Sequence, residues 1–414
     1  FTSSPITASI ANGAWDGKAV RIKWGYVNAN GDPEYVWALT GVVNNLAPDV
    51  GKQTATLTCL DNFGRFAGYS MRTPLSENIS IDSFIEQIRL QLPAAIRPAW
   101  ITAGRDQSFF SLPYAWVDDE QVISELSKLA QAEGGRIWFT GEGKLVFENA
   151  AHLIASPHTS SVATFHVNTY ADLKAQSNWR DKPRRIEVWY RQPQMGKTAE
   201  VWSASKAYIV PANGSIYVKA MLSGACRRPR TLVARQDYFA CSYASQDKTD
   251  DITITFTPAT PFAQQVIMTV ANAGAEDRVL TKLRLMAQQL TGFGEPEAVC
   301  LVIDSAGAIT REDVTTPTLG PAGKAPLVIK DNWYIQSLEH AEALAYYMAY
   351  RMRYPRTMVT LSNLRAMPWL EVGDLVTVSE RNGTVIGTFF VHAVRFRMRK
   401  AFTMDLTLLA ADGM

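Results

Sequence analysis

The chain has 414 residues, 41 Lys+Arg against 39 Asp+Glu for a formal net charge of +2, and a composition that is 47% apolar and 19% charged. That balance excludes disorder as the main state and disfavours a dedicated nucleic-acid binder, while a prior of about 150 residues per domain suggests two to four domains. No apolar run approaches the ~20 residues of a membrane-spanning helix.

The opening, Phe1-Thr2-Ser3-Ser4-Pro5-Ile6, has no basic stretch and no long apolar core, so it does not read as a signal peptide. It also lacks Met, which suggests that preceding residues are missing. Most of the remaining chain reads as strand. Trp15-Asp16-Gly17-Lys18 makes a turn before a half-buried strand in which Val20, Ile22 and Trp24 alternate with Arg21 and Lys23. After the turn Asn30-Gly31-Asp32-Pro33, residues 36–43 form a second strand. Residues 54–60 form a third, with Ala55, Leu57 and Cys59 on one face. Short strands at this spacing suggest a barrel or sandwich.

Two helices then interrupt. Ser80 can cap a segment whose Ile81, Phe84, Ile85, Ile88 and Leu92 fall on one stripe, and Pro93 stops it. Asp118 opens the second, with Gln121 as a capping-box partner and Val122, Ile123, Leu126, Leu129 and Ala130 as its apolar face. Gly134-Gly135 closes it. A hairpin pairs residues 136–140 with 144–148 across Gly141-Glu142-Gly143. From about 200 to 330, alternating runs such as 252–257, 266–270 and 279–285 have sandwich-like spacing, and Gly/Pro-rich 316–323 looks like a linker. A third helix starts near Ser337, buries Ala341, Leu344, Ala345, Met348 and Met352, and ends at Pro355. Strands at 375–378, 385–391, 394–398 and 404–409 finish the chain.

Cys59, Cys226, Cys241 and Cys300 form no Cys-x-x-Cys pair, and each lies in or beside a strand-like run. Buried thiols are expected, in keeping with folding in a reducing cytosol. Five histidines, at 152, 158, 166, 340 and 392, show no metal-ligand spacing. His340 in the first turn of the third helix reads as a surface or capping residue, and His392 as core or rim. Asp118-Asp119-Glu120 and Asp250-Asp251 would serve glycoside cleavage only with two carboxylates about 5 to 10 Å apart. Helix-opening charge explains the first group and a strand start the second. Asp374 reads as a turn former bonded to its own backbone. The phosphate-binding loop and the nucleophile elbow are absent, and Gly292-Phe293-Gly294 lacks the third glycine of a dinucleotide fingerprint. No catalytic, cofactor or metal residue is therefore assigned.

The segment from Asp118 to Glu148, a capped helix, then Glu133-Gly134-Gly135, then a hairpin ending Gly143-Lys144-Leu145-Val146-Phe147, resembles the hub subunits of phage baseplates. Type VI secretion spike proteins carry a similar helix and hairpin. Ala341-Glu342-Ala343-Leu344-Ala345 through Tyr354-Pro355-Arg356, followed by Pro368-Trp369-Leu370-Glu371-Val372-Gly373-Asp374-Leu375-Val376-Thr377-Val378, looks like the terminal part of tail hub or tail-tip proteins. Trp15-Asp16-Gly17 through Gly41 to Thr56-Leu57-Thr58-Cys59-Leu60-Asp61 is similar to their first barrel. Together these pieces cover about two thirds of the chain in the family's order.

The resemblance implies a mainly β (α+β) fold: two tube-like β-barrels, a small helix-plus-hairpin domain and an inserted β-sandwich. Residues 1–75 would form the first barrel, completed by about 160–180. Residues 76–160 would be the helix/hairpin domain, 181–200 with 337–414 the second barrel, and 201–336 the sandwich. Three chains would form a ring of pseudo-sixfold symmetry, matching a hexameric tail tube on one side and a threefold tip or spike on the other. Unlike the spike proteins, the chain has nothing after Leu409 that reads as a β-helical needle.

On this basis the chain is expected to be a virion structural protein, a tail hub with no enzymatic activity and no cofactor, located at the tail tip or baseplate and assembled in the host cytoplasm. Its implied partners are itself as a homotrimer, the tail tube or distal tail protein, a tail-tip fibre or spike protein and the tape-measure protein. DNA would pass through the lumen without specific binding, and a host-surface receptor is a further candidate. Arg180, Lys182, Arg184, Arg185 and Arg191 cluster, and Arg395, Arg397 and Arg399 share one face of one strand. A solvated face explains such charges; Arg also suits subunit ion pairs, which makes Arg395, Arg397, Arg399, Arg184 and Arg185 the candidate interface residues. Sticky channel walls would slow DNA, so direct DNA contact is disfavoured. Two alternatives remain. Trp202, Tyr208, Tyr217 and Tyr243 of the sandwich could stack on host-surface sugars, although core packing explains such residues well. A tail-associated cell-wall hydrolase would use the acids at 118 to 120.

Overall fold

The structure, a computed structural model, describes residues 15, 17–27, 30–49, 54–100, 110–153, 159–166, 168–177, 183–314, 326–352, 357–367, 369–379, 385–398 and 402–411. The fold is mainly β. Strands β1 (Ala19–Val27), β2 (Pro33–Asp49) and β3 (Thr54–Asp61) form an antiparallel sheet in which β2 is central.

Helix α1 (Phe63–Phe66) leads to β4 (Ser70–Arg72), β5 (Ser76–Ser80), α2 (Ile81–Gln91), β6 (Ser111–Ala115), β7 (Asp118–Gln121), α3 (Val122–Ala132), β8 (Arg136–Phe139), β9 (Leu145–Glu148) and α4 (Ala150–Leu153). Helix α2 forms where the apolar stripe places it and buries Ile81, Phe84, Ile85 and Ile88. Helix α3 starts later than the sequence suggests. Asp118 to Gln121 pair with β4 as a strand, because Arg72 holds Asp118 at 2.9 Å and Asp119 at 2.8 Å. The acids at 118 and 119 are thus tied in ion pairs rather than opening a helix. At the other end Gly134 takes φ +59, and its N–H and that of Gly135 donate to Gln131 and Ala130, the paired bonds of a left-handed helix stop.

Next come β10 (Ala163–His166), β11 (Asp172–Ser177) and β12 (Arg185–Tyr190), then a sandwich of β13 (Pro193–Ser203), β14 (Tyr208–Val210), β15 (Ser215–Met221), β16 (Tyr238–Cys241), β17 (Ile252–Phe256), β18 (Gln265–Asn272) and β19 (Arg278–Phe293). One sandwich layer is built on β19 with β13, β14 and β16, the other is β15-β18-β17. Val218, Ala220, Val266, Met268, Val270, Leu280 and Leu285 fill the space between them. The sandwich therefore spans 193–293 rather than 201–336. Strands β20 (Glu297–Ile303), β21 (Ile309–Glu312) and β22 (Leu327–Ile329), expected to belong to it, instead join β12 in a separate four-stranded sheet. The reason is the apolar face of β12: Ile186, Val188 and Tyr190 share one core with Val299, Leu301 and Ile303, with α2 and α3, and with α5 (Leu338–Met352). So β12 belongs to the central core, not to the second barrel.

The last strands, β23 (Thr357–Arg365), β24 (Leu375–Ser379), β25 (Val385–Met398) and β26 (Phe402–Ala410), make a six-stranded sheet in the order β10-β24-β25-β26-β23-β11. Residues 163–177 thus belong to the second sheet, where the resemblance implies that about 160–180 complete the first. Ala163 lies opposite Val376 in a parallel pair, and Asp172 opposite Ser362 in an antiparallel one. This order forces curvature. The link from His166 to Asp172 is six residues, at most about 21 Å of extended chain. In a flat sheet its ends would stand five ~4.8 Å strand spacings apart, about 24 Å. A tight turn shortens the link further, with the Thr169 N–H donating to the His166 carbonyl at 2.7 Å. The sheet therefore curls and does not lie flat. Its inner face holds Val359, Leu361, Val378, Phe389, Val391, Met404, Leu406 and Leu408. Inward residues on β23 shift from Leu361 to Leu364 across an irregularity at Asn363, whose φ is +58.

Inside the central core, Tyr334 is fully buried and donates to Glu125 at 2.5 Å. His340, expected at the surface or as a cap, is 3% exposed, with Nε2 2.7 Å from the Ala132 carbonyl and Phe110 stacked on its ring. Burial pushes its pKa below the usual 6.5, more than the Ala132 bond raises it. As pH falls, the unfolded chain takes up this proton first, so the contribution of neutral His340 is whole above about pH 6.5 and is lost below it. His340→Gln should therefore flatten the fall in Tm between about pH 7 and pH 5, read by calorimetric melts at half-unit steps.

Candidate assembly surface

The three-stranded sheet presents two unlike faces. Arg21 and Lys23 lie over the Trp37 ring, at 5.9 Å and 4.2 Å from its centroid, which places them on one side with Thr40. On that side the Thr40 hydroxyl donates to the Gly141 carbonyl at 2.8 Å and the Asn62 amide to Gly143 at 3.0 Å, so the β8–β9 turn docks there. The register puts Val20, Ile22, Trp24, Val36, Leu39, Val43, Leu57 and Cys59 on the opposite side. That face is apolar, and Val43 is the one fully buried apolar residue of the three strands among the described residues. Ile22 is 38% exposed and Leu57 42%. Trp24 meets Phe396 of β25 at 5.3 Å, so one end of this face reaches the curled sheet. Sheets bury one face against another layer; among the described residues this face is half-covered, with Ile22 and Leu57 left exposed. The strand edges of β1 and β3, and of β10 and β11, carry no neighbouring strand among the described residues.

The outward face of the curled sheet is mixed: Leu375, Phe390, Leu409 and Met358 form an apolar row beside polar ones. Thr360, Thr407 and Ala393 stand in one cross-strand row with Lys174, and Arg365, Thr403 and Arg397 in another. Arg395 and Arg397 are exposed there as the strand periodicity expects. Arg397 is ion-paired with Asp405, which also accepts the Asn363 N–H at 3.0 Å. Arg399 lies outside the described residues, as do Arg180 and Lys182. Arg185 departs from the expected interface role: it is 6% exposed, with Nε donating to Glu187 at 2.6 Å and a terminal nitrogen to the Val314 carbonyl at 2.7 Å. That guanidinium is engaged within the chain. Arg184 is half-buried beside it.

The four aromatic residues proposed for sugar stacking do not converge. Trp202 and Tyr208 are packed against the sandwich core. Tyr217 and Tyr243 are exposed, but Tyr217 stands on the β15-β18-β17 layer and Tyr243 follows β16 of the other. All four thiols are free; Cys226 is buried and its pKa is pushed up to about 12 by that burial. Among the described residues no group of His, Cys, Asp and Glu could hold a metal ion, and no helix is long and apolar enough to cross a membrane. The contact that sequence reasoning missed is Arg136. Its Nε donates to Glu148 at 2.7 Å, it lies on the Trp138 ring at 4.4 Å, and its guanidinium rests against Gly373 in the turn before β24. The hairpin and the Gly-Asp turn, both part of the family resemblance, are locked together through it. At that turn Asp374 accepts the Glu371 N–H at 2.8 Å, the side-chain to backbone bond expected of it.

No protein-family model matches the chain, and no curated protein does. Among solved structures it is similar to the tail protein from Neisseria meningitidis MC58, at 11% identity and a TM-score of 0.48, over 96% of this chain and 85% of that one. It is similar to the 43 kDa tail protein of prophage MuSo2 from Shewanella oneidensis, at 10% identity and a TM-score of 0.45, over 96% and 82%. It is also similar to a chain of the phage P2 baseplate in its activated conformation with Ca, at 10% identity and a TM-score of 0.28, over 95% and 79%.

Proposed function

We propose that the chain is a structural component of a phage tail, without a reaction of its own, and that three copies close into a ring joining a hexameric tail tube to a threefold tip. The observation that carries this reading is the three-stranded sheet, whose apolar face leaves Ile22 and Leu57 exposed among the described residues. A contiguous apolar face of this kind marks an interaction surface. A second copy is the fitting cover, since a cyclic assembly reuses one pair of unlike surfaces and removes open strand edges. Each chain carries two sheet-bearing units, the three-stranded one and the curled six-stranded one, so three chains supply six around the ring.

The outward face of the curled sheet mixes threonines with charge: Asp405 offsets Arg397 and Asp172 offsets Lys174, while Arg365 and Arg395 stand exposed, so as a channel wall it would hold a polyanion only through those two positions. Tail tube, tip or spike and tape-measure proteins are the partners this position requires. The virion tail is the location, with assembly in a reducing cytoplasm consistent with four free thiols.

Light scattering of the purified chain over a concentration series tests the reading. The expected species has three times the 45.8 kDa chain mass, about 137 kDa. A monomer at every concentration, unchanged when tail tubes are added as template, would overturn it.

A further inference from the structure

The sandwich enters and leaves the rest of the chain at one place. Arg191 and Gln192 lead from β12 into β13, and Gly294, Glu295 and Pro296 lead from β19 back to β20. The two passages run side by side, with Pro193 opposite Phe293 and the Gly294 N–H donating to the Gln192 carbonyl at 3.3 Å. They make a two-strand stalk. A Cβ added to Gly294 would meet nothing within 4 Å. Beside the stalk lies a cleft of about 250 Å³, lined by its Arg191 and Pro296 and by Trp189, Lys330, Asp331 and Trp333 of the core. The stalk therefore has open space next to it.

The sandwich and the central core share no buried apolar residue: Val218, Val266 and Met268 pack in one cluster, Ile186, Phe84 and Val299 in the other. Beyond the stalk, a polar patch ties the two units. Arg227 grips Glu77 with two nitrogens, Nε at 2.5 Å. The Ala263 N–H donates to the Thr73 carbonyl at 3.0 Å. The Gln264 amide accepts from the Trp116 indole N–H at 3.2 Å and donates to Asp118 at 2.8 Å. On the sandwich side these contacts are joined, because the Cys226 N–H donates to the Ala263 carbonyl at 2.8 Å. The Arg227 and Glu77 side chains are 41% and 31% exposed, so salt screens their attraction. Water can replace the hydrogen bonds of such a patch, whereas opening either core would expose its apolar side chains. Two units joined by polar contacts move relative to one another by default.

We propose that the sandwich is an arm latched against the central core. The Glu77–Arg227 pair and the Ala263–Thr73 bond open together, the arm turns on residues 191–192 and 294–296, and both apolar cores stay intact. The latch uses no residue of the apolar sheet face and belongs to the single chain, so it does not depend on ring assembly.

Amide hydrogen exchange of the full chain, read residue by residue, tests it. The Ala263 N–H is the reporter, since its acceptor lies across the latch. Amides of β18 from Val266 to Val270 report the sandwich, and those of α2 from Phe84 to Ile88 report the core. Ala263 should exchange at least about tenfold faster than either reference set. Glu77→Ala removes a charge-assisted pair and should speed Ala263 about tenfold further, with both reference sets unchanged. In about 0.5 M NaCl the natural chain should move toward the variant, which should itself respond little. Ala263 exchanging in step with β18 and α2 would overturn the proposal, because sandwich and core would then open only as one unit. So would an Ala263 rate indifferent to both Glu77→Ala and salt, or a variant in which β18 and α2 accelerate as much as Ala263.

Discussion

Gly373→Ala should lower the stability of the chain by roughly 2–4 kcal/mol. Two effects combine. Gly373 has φ +96, where an added Cβ is strained by about 1–2 kcal/mol. The same Cβ would lie 2.0 Å from both terminal nitrogens of Arg136, so the guanidinium must shift off the turn. The shift weakens its pair with Glu148, whose side chain is 0% exposed. Urea denaturation of a double-mutant cycle separates the terms. With Arg136→Met already in place, Gly373→Ala should cost only the strain, about 1–2 kcal/mol. An equal loss in both backgrounds would mean that the guanidinium contact contributes nothing.

The second large effect concerns assembly. Ile22→Glu with Leu57→Glu places two carboxylates on the apolar face of the three-stranded sheet. Both positions are already about two-fifths exposed in the single chain, so monomer stability should change by no more than about 1 kcal/mol. A closed ring would have to bury both charges without partners, at several kcal/mol each. The species in light scattering should fall from about 137 kDa to the 45.8 kDa chain. Cys59 on the same face reports independently: its thiol should be slow to alkylate in the ring and faster in the double variant. A trimer that persists with both carboxylates in place would remove this face from the interface.

Much of the fold was legible in the sequence where local pattern decides structure. The stripe Ile81, Phe84, Ile85, Ile88 becomes the buried face of α2, and Gly134-Gly135 stops α3. What escaped was set by partners distant in sequence. Asp118 and Asp119 look like helix-opening charge until Arg72 is seen to hold them in a strand. Arg185 sits in a basic run that reads as surface, but its guanidinium is buried on Glu187 and Val314. Strands β10 and β12 join sheets other than the expected ones because alternation marks a strand without naming its neighbour. The candidate surface was half legible: the alternation of Val20, Ile22 and Trp24 was plain, whereas the exposure left on this face appears only when the layers are assembled. Trp189 and Trp333 gave no local signal, since indoles 144 positions apart in the chain (333 minus 189) share a wall only after β12 and β22 pair.

The order of the curled sheet also bears on synthesis. His166 on β10 meets Ser379 on β24, 213 residues later. At about 5–20 residues per second a ribosome needs roughly 10–40 s to deliver the second strand after the first. For most of that interval β10 and β11 have no ladder partners from their own sheet, while the earlier helices and the sandwich can already be folding. Long-range pairings of this kind slow folding and leave bare edges open to the wrong chain. On a polysome several nascent copies would carry such edges side by side, a setting that favours exchange of strands between neighbours. Yield of native protein should therefore be governed by the emergence of residues 357–410, after the residues of the sandwich core are already made.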